Sequence, residues 1–188
     1  MRISGGAARG ILLTAPKGGA IRPATDGMRQ AVFSSLGSRV VGARFWDLFA
    51  GSGAYGLEAL SRGAAGGIFV ERNAQTVACL KKNLVAVSRS RGREVADIEV
   101  ATADALTWAP PGGTAAADLV FIDPPYEIIT EAAPRLFARL TQALVSKPDA
   151  LVLFEMPGEV VLSPSGWTCV KRLGKGAHQP TVSVFRHA

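Results

Sequence analysis

The chain has 188 residues, of which 48% are hydrophobic and 19% charged, and this composition is typical of one globular domain. No apolar run approaches the roughly 20 residues that cross a bilayer, the first ten residues lack the apolar core of a signal peptide, and the two cysteines, Cys79 and Cys169, lack the spacing of a metal site. These features disfavour a disulfide scaffold, a membrane protein and a cysteine-bound metal, and they predict a cytoplasmic protein.

The net charge of +6 is concentrated in the first quarter of the chain. Residues 1–45 carry seven basic side chains and one acid, a difference of +6, whereas residues 46–188 carry 14 of each sign. Such asymmetry is typical of proteins that bind a polyanion, although a basic surface that only keeps the protein in solution fits equally well. If the partner is a nucleic acid, Arg2, Arg9 and Arg22 are its expected contacts.

Residues 1–24 are rich in Gly, Arg and Ala, and an apolar piece at 10–13 predicts part of a small hairpin. Residues 25–38 predict a helix, with Thr25 or the following Asp as its N-cap and an apolar stripe along one side. We therefore expect a basic N-terminal extension over residues 1–24 and the main domain over residues 25–188.

After residue 44, short apolar strands alternate with helices. The predicted strands cover 45–49, 67–71, 98–101, 118–123 and 150–155, the predicted helices cover 55–62, 74–87 and 130–144, and a final antiparallel hairpin pairs 167–173 with 181–186. A basic, polar loop is expected at 89–93. This alternation predicts a mostly parallel sheet with helices on both faces, in which ligands bind beyond the carboxyl ends of the strands.

The segment DLFAGSGAYG, at 47–56, joins the first strand to the next helix. Gly51 and Gly53, with a third glycine three residues later, follow the pattern G-x-G-x-x-G, which permits a tight turn and a close approach to a ligand. Glu71 ends the second strand, where a carboxylate can accept hydrogen bonds from both hydroxyls of a ribose. Asp104, just after the third strand, can contact an adenine, so the set predicts a cofactor that contains adenosine.

The glycine pattern alone does not identify that cofactor. It fits nicotinamide and flavin dinucleotides as well as S-adenosylmethionine, and it also fits a turn that only packs a helix on a strand. Asp47 favours S-adenosylmethionine, because a carboxylate inside the first strand would repel a pyrophosphate but suits an ammonium or sulfonium group.

The run LVFIDPPYE, at 119–127, is the most informative part of the sequence. Asp123 ends an apolar strand, so its carboxylate is expected in the crevice at the strand ends. Pro124 and Pro125 have fixed φ angles and no N–H donors, which leaves their carbonyls as acceptors. Tyr126 adds a flat aromatic face. By itself the motif also fits a strand that ends in a proline-rich turn with a capping Asp.

These groups suit the methylation of an exocyclic amine, whose lone pair is delocalised into the ring and is a poor nucleophile. The Asp123 side chain and the Pro124 carbonyl can hold the two N–H groups and stabilise the positive charge that grows as the methyl group arrives. Tyr126 can stack on the base, which must lie in a loop or leave its helix to reach the pocket. Positioning supplies much of the acceleration, and no metal is needed.

The chain resembles the RsmD-type family of bacterial 16S rRNA (guanine-N2)-methyltransferases over nearly its whole length. The similar segments are RISGGAARG at 2–10, RPATDGMRQAVFSSL at 22–36, FAGSGAYGLEALSRGA at 49–64 and DPPY at 123–126. The resemblance implies a Rossmann-like, S-adenosylmethionine-dependent methyltransferase fold. It also implies methyl transfer to guanine N2 in 16S rRNA of the assembling small subunit, with S-adenosylhomocysteine as the product. We expect a monomer that binds neither a membrane nor a metal.

The motifs and the resemblance together imply roles for individual residues. Asp123, Pro124, Pro125 and Tyr126 would meet the target base. Thr25 and Arg29 would lie near the cofactor or the RNA. The full set expected to contact the cofactor is Thr25, Arg29, Asp47, Phe49, Ala50, Gly51, Gly53, Glu71, Arg72, Asp104 and Ala105.

The sequence departs from the family pattern at Tyr55, where an aliphatic residue is usual, and its ending at 174–187 matches only loosely. Alternatives with a related motif are a DNA adenine-N6 methyltransferase, which usually carries an extra recognition domain, and a protein-glutamine methyltransferase, which would favour Asn in place of Asp123. A dinucleotide-dependent oxidoreductase is disfavoured by Asp47 and the proline pair. An inactive RNA-binding relative is disfavoured by the intact Asp123 and Glu71.

Overall fold

The structure is a computed structural model, and it describes residues 1–15, 26–92, 97–174, 176 and 179–188. Two residues with predicted roles, Arg22 and Thr25, lie outside the described residues. The predicted boundary between the N-terminal extension and the main domain falls there as well, so it stays a prediction.

Helices and strands alternate along the described chain. The helices are α1 (Asp26–Leu36), α2 (Ala54–Ser61), α3 (Ala74–Arg91) and α4 (Ile129–Ala143), and the strands are β1 (Arg44–Leu48), β2 (Gly66–Glu71), β3 (Ile98–Thr102), β4 (Leu119–Ile122), β5 (Leu151–Pro157), β6 (Trp167–Leu173) and β7 (Pro180–His187). A 3₁₀-helical turn follows α1 at Gly37–Val40, and another precedes α4 at Tyr126–Ile128. None of the described helices is both long enough and apolar enough to cross a membrane.

The seven strands of the described chain form one sheet in the order β3-β2-β1-β4-β5-β7-β6. Strands β1 to β5 run parallel, with helices in the connections β1–β2, β2–β3 and β4–β5 and a loop over residues 103–118 between β3 and β4, while β7 lies antiparallel between β5 and β6. β6 forms one edge of the sheet, and its pairing with β7 is irregular between Cys169 and Lys171. The predicted mostly parallel sheet with a C-terminal antiparallel hairpin is confirmed.

Successive side chains of each strand point to opposite faces of the sheet and form two apolar layers, one on each side. On one side, here called the α1–α2 face, Phe33 and Tyr55 pack against Phe121 of β4, with ring centroids 5.6 and 5.3 Å apart. On the other side, α4 contributes Phe137, whose ring lies 6.0 Å from that of Phe154. The sheet is therefore covered on both faces.

Residues 1–15, here called the N-terminal segment, pack onto the α1–α2 face. A single β-bridge pairs Arg2 with Leu12, and Ile3 and Leu13 are buried in the core. The segment is thus a part of the folded body of the protein, although its sequence is rich in small and basic residues.

Two polar side chains of the helices fix the N-terminal segment. Glu58 of α2 accepts hydrogen bonds from the N–H and the hydroxyl of Ser4 at 2.8 and 2.7 Å. Asn83 of α3 bonds to the N–H and carbonyl of Thr14 at 2.8 and 2.9 Å, and it also donates to the carbonyl of Ser52 at 2.9 Å. The small hairpin predicted here is present as a short antiparallel pairing, in which the N–H groups of Ile3 and Leu13 donate to the carbonyls of Ile11 and Met1, both at 3.0 Å.

Helix α3 is longer than the sequence pattern indicates. Its apolar periodicity ends at Val87 and a loop is predicted at 89–93, but the helix continues to Arg91 and ends at Gly92, which has a φ of 63°. The prediction of a loop is therefore wrong as far as Arg91. An exposed polar turn needs no apolar residue, so periodicity cannot detect it.

Candidate active site

The described residues with predicted roles in the chemistry gather at the edge of the sheet where the parallel strands end. The chain leaves β1 towards β2 and leaves β4 towards β5, so the two loops run to opposite sides. Between them opens the crevice in which ligands bind in sheets of this kind.

The loop after β1 has a constrained backbone. Phe49 has a φ of 62°, and it is the one non-glycine residue with a positive φ in the described parts of the chain. A bulky residue in this region costs about 1–3 kcal/mol, and such strain persists where surrounding contacts enforce it, often beside a ligand. The strained residue lies where the sequence predicts the cofactor.

The three glycines of this loop have different surroundings. A Cβ atom on Gly53 would lie 2.2 Å from a leucine methyl carbon of α3, and one on Gly56 would lie 2.3 Å from the ring of Phe69, so these glycines permit close helix packing. A Cβ atom on Gly51 would meet only the carbonyl oxygen of Phe49, at 3.9 Å. The open space beside Gly51 distinguishes this loop from a turn that only packs a helix on a strand, and it would allow a ligand to approach the backbone closely.

Asp47 lies inside β1 and is buried. Its Oδ2 accepts a 2.9 Å hydrogen bond from the N–H of Gly56 in the first turn of α2, where a helix favours negative charge. Desolvation by burial raises the pKa of Asp47 to about 8, although the bond from Gly56 lowers it. The carboxyl therefore joins α2 to β1 and is mostly protonated at neutral pH. Its role towards a cofactor stays a prediction.

Glu71, at the end of β2, joins two loops. Its Oε2 accepts a hydrogen bond from the N–H of Gly51 at 3.0 Å, and its Oε1 accepts one from the N–H of Asn73 at 2.8 Å. Each oxygen keeps a further lone pair that a ribose hydroxyl can use. The neighbouring Arg72 is exposed.

Asp104 and Ala105 follow β3. The Oδ1 atom of Asp104 accepts a 2.9 Å hydrogen bond from the N–H of Leu106, so the carboxylate shapes the turn in which it lies. Ala105 is buried, Phe49 and Leu106 pack at the margin of the same apolar layer, and Ala50 in the glycine loop is buried in the layer on the other side of the sheet. The two loops thus combine an apolar surface with a carboxylate, as an adenine site requires.

The loop after β4 carries the four residues predicted to meet the target base. The N–H of Asp123 donates to the carbonyl of Leu48 at 3.4 Å, which holds the loop beside β1. The carbonyl of Pro125, an exposed residue, accepts a 3.2 Å hydrogen bond from the 3₁₀-helical turn that begins at Tyr126. No described residue donates to the carbonyl of Pro124.

A buried acid outside the sequence motifs, Glu155 of β5, also belongs to this site. Its Oε2 accepts a 2.6 Å hydrogen bond from the hydroxyl of Tyr55. Burial raises the pKa of Asp123 well above its usual range, the negative charges of Glu155 and Asp47 add to this effect, and Arg29 opposes it. Burial also raises the pKa of Glu155, while Tyr55 and Arg29 lower it. A single sequence does not give the strand register that brings Glu155 to Asp123.

Arg29, predicted near the cofactor or the RNA, is fully buried in α1. Its Nη2 donates to the carbonyl of Arg2 and to Oδ1 of Asp26, both at 2.6 Å. Its Nε lies 4.0 Å from Oε2 of Glu58. Since its charge also lowers the pKa of Asp123, Arg29 lies behind the crevice and joins the site to the N-terminal segment.

The strand order, the glycine loop after β1 and the acid that ends β2 together define the Rossmann-like fold of S-adenosylmethionine-dependent methyltransferases. Solved structures agree with this class. The structure of yhhF from Escherichia coli is similar with a TM-score of 0.81 and 29% sequence identity, over 100% of this chain and 97% of that one.

Residues 1–183 match the family described as conserved hypothetical protein 95, and the chain belongs to this family. Ribosomal RNA small subunit methyltransferase D of Escherichia coli is 39% identical over 126 residues, which are 67% of this chain and 60% of that relative's length. The protein of the same name from Haemophilus influenzae is 30% identical over 177 residues, which are 94% of this chain and 89% of that relative. The predicted RsmD-type family is thereby confirmed.

Proposed function

We propose that this chain transfers a methyl group from S-adenosylmethionine to the exocyclic N2 of a guanine in 16S rRNA, during assembly of the small ribosomal subunit. The observation that carries the proposal is that Asp123 and Pro124 directly follow β4, at the same sheet edge as the open Gly51 after β1. The rRNA substrate is supported by the relatives named for methylation of small-subunit RNA.

The residues present fit S-adenosylmethionine, which when bound supplies an electrophilic methyl group on a positively charged sulfur. Gly51 leaves room for it, and Glu71 can accept the ribose hydroxyls. Asp104, beside the apolar side chains of Phe49 and Leu106, can hold the adenine. Asp47 is the acid we assign to the positively charged part of the cofactor, because a bound cation would favour its ionised form over the protonated form that burial favours.

The target base is held by acceptors and by stacking. Asp123 and the carbonyl of Pro124 accept hydrogen bonds from the amine N–H groups, which orients the nitrogen lone pair and stabilises the developing positive charge. The half-buried Tyr126 stacks on the base, while the exposed Pro125 forms the outer lip of the pocket. Water is excluded where Pro124 is buried.

The RNA is bound by the basic first quarter of the chain. Arg2 and Arg9 are exposed on the N-terminal segment, and Arg22, which lies outside the described residues, is proposed as a further contact because of its charge. Phosphate contacts of this kind position a nucleic acid without reading its sequence. We further propose that the protein acts as a monomer in the cytoplasm.

The test is transfer of a radiolabelled methyl group from S-adenosylmethionine to small ribosomal subunits, naked 16S rRNA and duplex DNA in parallel, with nucleoside analysis of each product. N2-methylguanosine from an rRNA substrate is the expected result. N6-methyladenine from the duplex would instead support a DNA enzyme. If none of the three substrates is labelled although the cofactor binds, these nucleic acids are excluded as methyl acceptors. Protein glutamine would then be the next acceptor to test.

A further inference from the structure

Glu155 and Tyr55 have no part in the function proposed above, yet both lie close enough to Asp123 for their charges to interact. Strands β4 and β5 are parallel neighbours, and their last paired residues are Ile122 and Phe154. Asp123 and Glu155 come next on the two strands, which lie about 4.8 Å apart, and residues at paired positions point to the same side of a sheet. The register therefore sets the two carboxyl groups side by side.

Tyr55 fixes both the position and the charge of Glu155. Its hydroxyl donates the 2.6 Å bond to Glu155, and its ring stacks on Phe121 with the planes only 14° apart. Both side chains are buried, with 5% of Tyr55 and 2% of Glu155 exposed, so neither has room to turn away. A short hydrogen bond from a hydroxyl favours the ionised form of a carboxyl group, so Tyr55 opposes the burial that raises the pKa of Glu155.

The groups that face Asp123 come from four different elements: Glu155 of β5, Asp47 of β1, Arg29 of α1 and Tyr55 of α2. Burial raises the pKa of Asp47 to about 8, so this acid is mostly neutral at pH 7. Of the two neighbouring acids, Glu155 has the larger effect on the pKa of Asp123, and Arg29 opposes it in part.

We propose that Glu155 is a positioning residue whose negative charge, held beside Asp123 by the hydroxyl of Tyr55, makes Asp123 the base that takes the proton of the target amine. This inference rests on the proposed function, because it needs an amine as the methyl acceptor. An ordinary Asp binds protons weakly, whereas a base is most effective when its proton affinity suits the working pH. The neighbouring carboxylate supplies that increase.

The proton balance of the step is complete within the pocket. After the amine nitrogen has gained its methyl group, it carries a positive charge. One N–H bond then breaks, its electron pair stays on nitrogen and restores the neutral amine, and the proton moves to an oxygen of Asp123. Because Asp123 is partly exposed, the proton can pass to solvent before the next turnover. Glu155 stays ionised throughout.

The first test follows the Asp123 carboxyl in cofactor-free protein by NMR of carboxyl-labelled aspartate, with Asp123→Asn to assign the resonance. The wild-type midpoint is expected well above the value near pH 4 of an ordinary Asp. Glu155→Gln keeps an acceptor for the hydroxyl of Tyr55 but removes the charge, so it is expected to lower the midpoint by about one pH unit or more. An unmoved midpoint overturns the proposal.

Two further variants separate the charge effect from damage to the fold. Asp118→Asn removes an acid at the opposite end of β4, where Oδ1 of Asp118 lies 2.7 Å from Nζ of Lys147, and it is expected to leave the Asp123 midpoint unchanged. Tyr55→Phe keeps the ring but removes the hydroxyl, so the midpoint of Glu155 is expected to rise. If the Glu155 midpoint does not rise, Tyr55 does not hold the charge and that part of the proposal fails.

The second test is the pH profile of kcat with saturating rRNA and S-adenosylmethionine. The wild-type rate is expected to rise with pH as Asp123 ionises, and Glu155→Gln is expected to move this rise to lower pH and to reduce the plateau rate. A merely structural role would lower the rate at every pH without moving the rise. Since the NMR titration needs no substrate, failure of the proposed function can be distinguished from failure of the inference about Glu155. A shifted midpoint without rRNA methylation rejects the proposed function, and an active enzyme with an unmoved midpoint rejects the inference.

Discussion

At the scale of single residues, the acids at the strand ends serve the protein's own backbone as well as the crevice. Asp47, Glu71 and Asp104 each accept hydrogen bonds from backbone N–H groups of the loops or helix around them. Sequence position indicates that these carboxylates lie at the ligand edge, but it does not reveal which N–H groups they bond. Their removal is therefore expected to affect stability as well as binding.

Asp123→Ala is expected to abolish turnover while the cofactor still binds. The variant loses the acceptor that holds the amine, and loss of one such group typically costs about 10²–10³-fold in kcat. Binding of S-adenosylmethionine by calorimetry and methyl transfer to rRNA are the two measurements. Asp118→Asn, on the same strand but at its other end, is the matched control and should retain activity. Methylation by Asp123→Ala at the wild-type rate would remove Asp123 from the chemistry.

Asp47→Asn is expected to stabilise the protein increasingly as the pH rises. An unfolded Asp ionises near pH 4, whereas folded Asp47 has a pKa of about 8. Between these values the folded protein holds a proton that the unfolded chain has lost. The stability contributed by protonated Asp47 is therefore complete below about pH 4 and is lost as the pH rises to about 8. Asn cannot ionise, so it avoids this loss and still offers an oxygen to Gly56.

Urea unfolding at pH 5 and pH 8 measures this effect. The gain of Asp47→Asn over the wild type is expected to be larger at pH 8 by about 1 kcal/mol or more. Asp118→Asn is again the control, because the pKa of Asp118 is lowered and its removal gives no gain that grows over this range. A gain of equal size at both pH values would contradict the assigned titration.

At the scale of elements, hydrophobic periodicity predicts the strands and helices well, because each buries a regular apolar face. It misses the last turn of α3, which is polar and exposed, and the packing of the N-terminal segment, whose buried residues are spaced irregularly among glycines. It also misses the bond from Tyr55 to Glu155, which joins positions 100 residues apart. Such contacts depend on strand order and register, which one sequence does not contain.

Two substitutions in the glycine loop are expected to separate its role in cofactor binding from its role in stability. Gly51→Ala is expected to keep the unfolding free energy within about 1 kcal/mol of the wild type, because only its positive φ is unfavourable, and to weaken S-adenosylmethionine binding because the methyl group fills the opening. Gly56→Ala is expected to cost about 1–3 kcal/mol, because its Cβ meets the ring of Phe69. Urea unfolding and calorimetric titration of both variants decide the matter. Unchanged affinity of Gly51→Ala would place the cofactor elsewhere.

At the scale of the whole molecule, the positive charge of the first quarter is predicted to act on RNA. Replacing Arg2, Arg9 and Arg22 by Gln is expected to weaken rRNA binding and to flatten its dependence on salt, by about one in the logarithmic slope for each phosphate that is no longer neutralised. Filter binding across a series of salt concentrations measures both quantities.

The matched control for charge neutralises three exposed basic residues on the helices, Lys81, Lys82 and Arg135, and should leave that slope close to the wild-type value. If the two triple variants behave alike, the basic first quarter has no special role in RNA binding.

Strand β6 lies at the edge of the sheet, so its outer backbone N–H and carbonyl groups face no neighbouring strand. An open edge of this kind can recruit a strand from another copy and start fibrous aggregation. The irregular pairing between Cys169 and Lys171 bends the edge, and Lys171 and Arg172 place exposed positive charges along it. Bulges and edge charges both oppose such growth. Two basic residues with no assigned part in the chemistry are thus expected to oppose polymerisation of concentrated protein along its sheet.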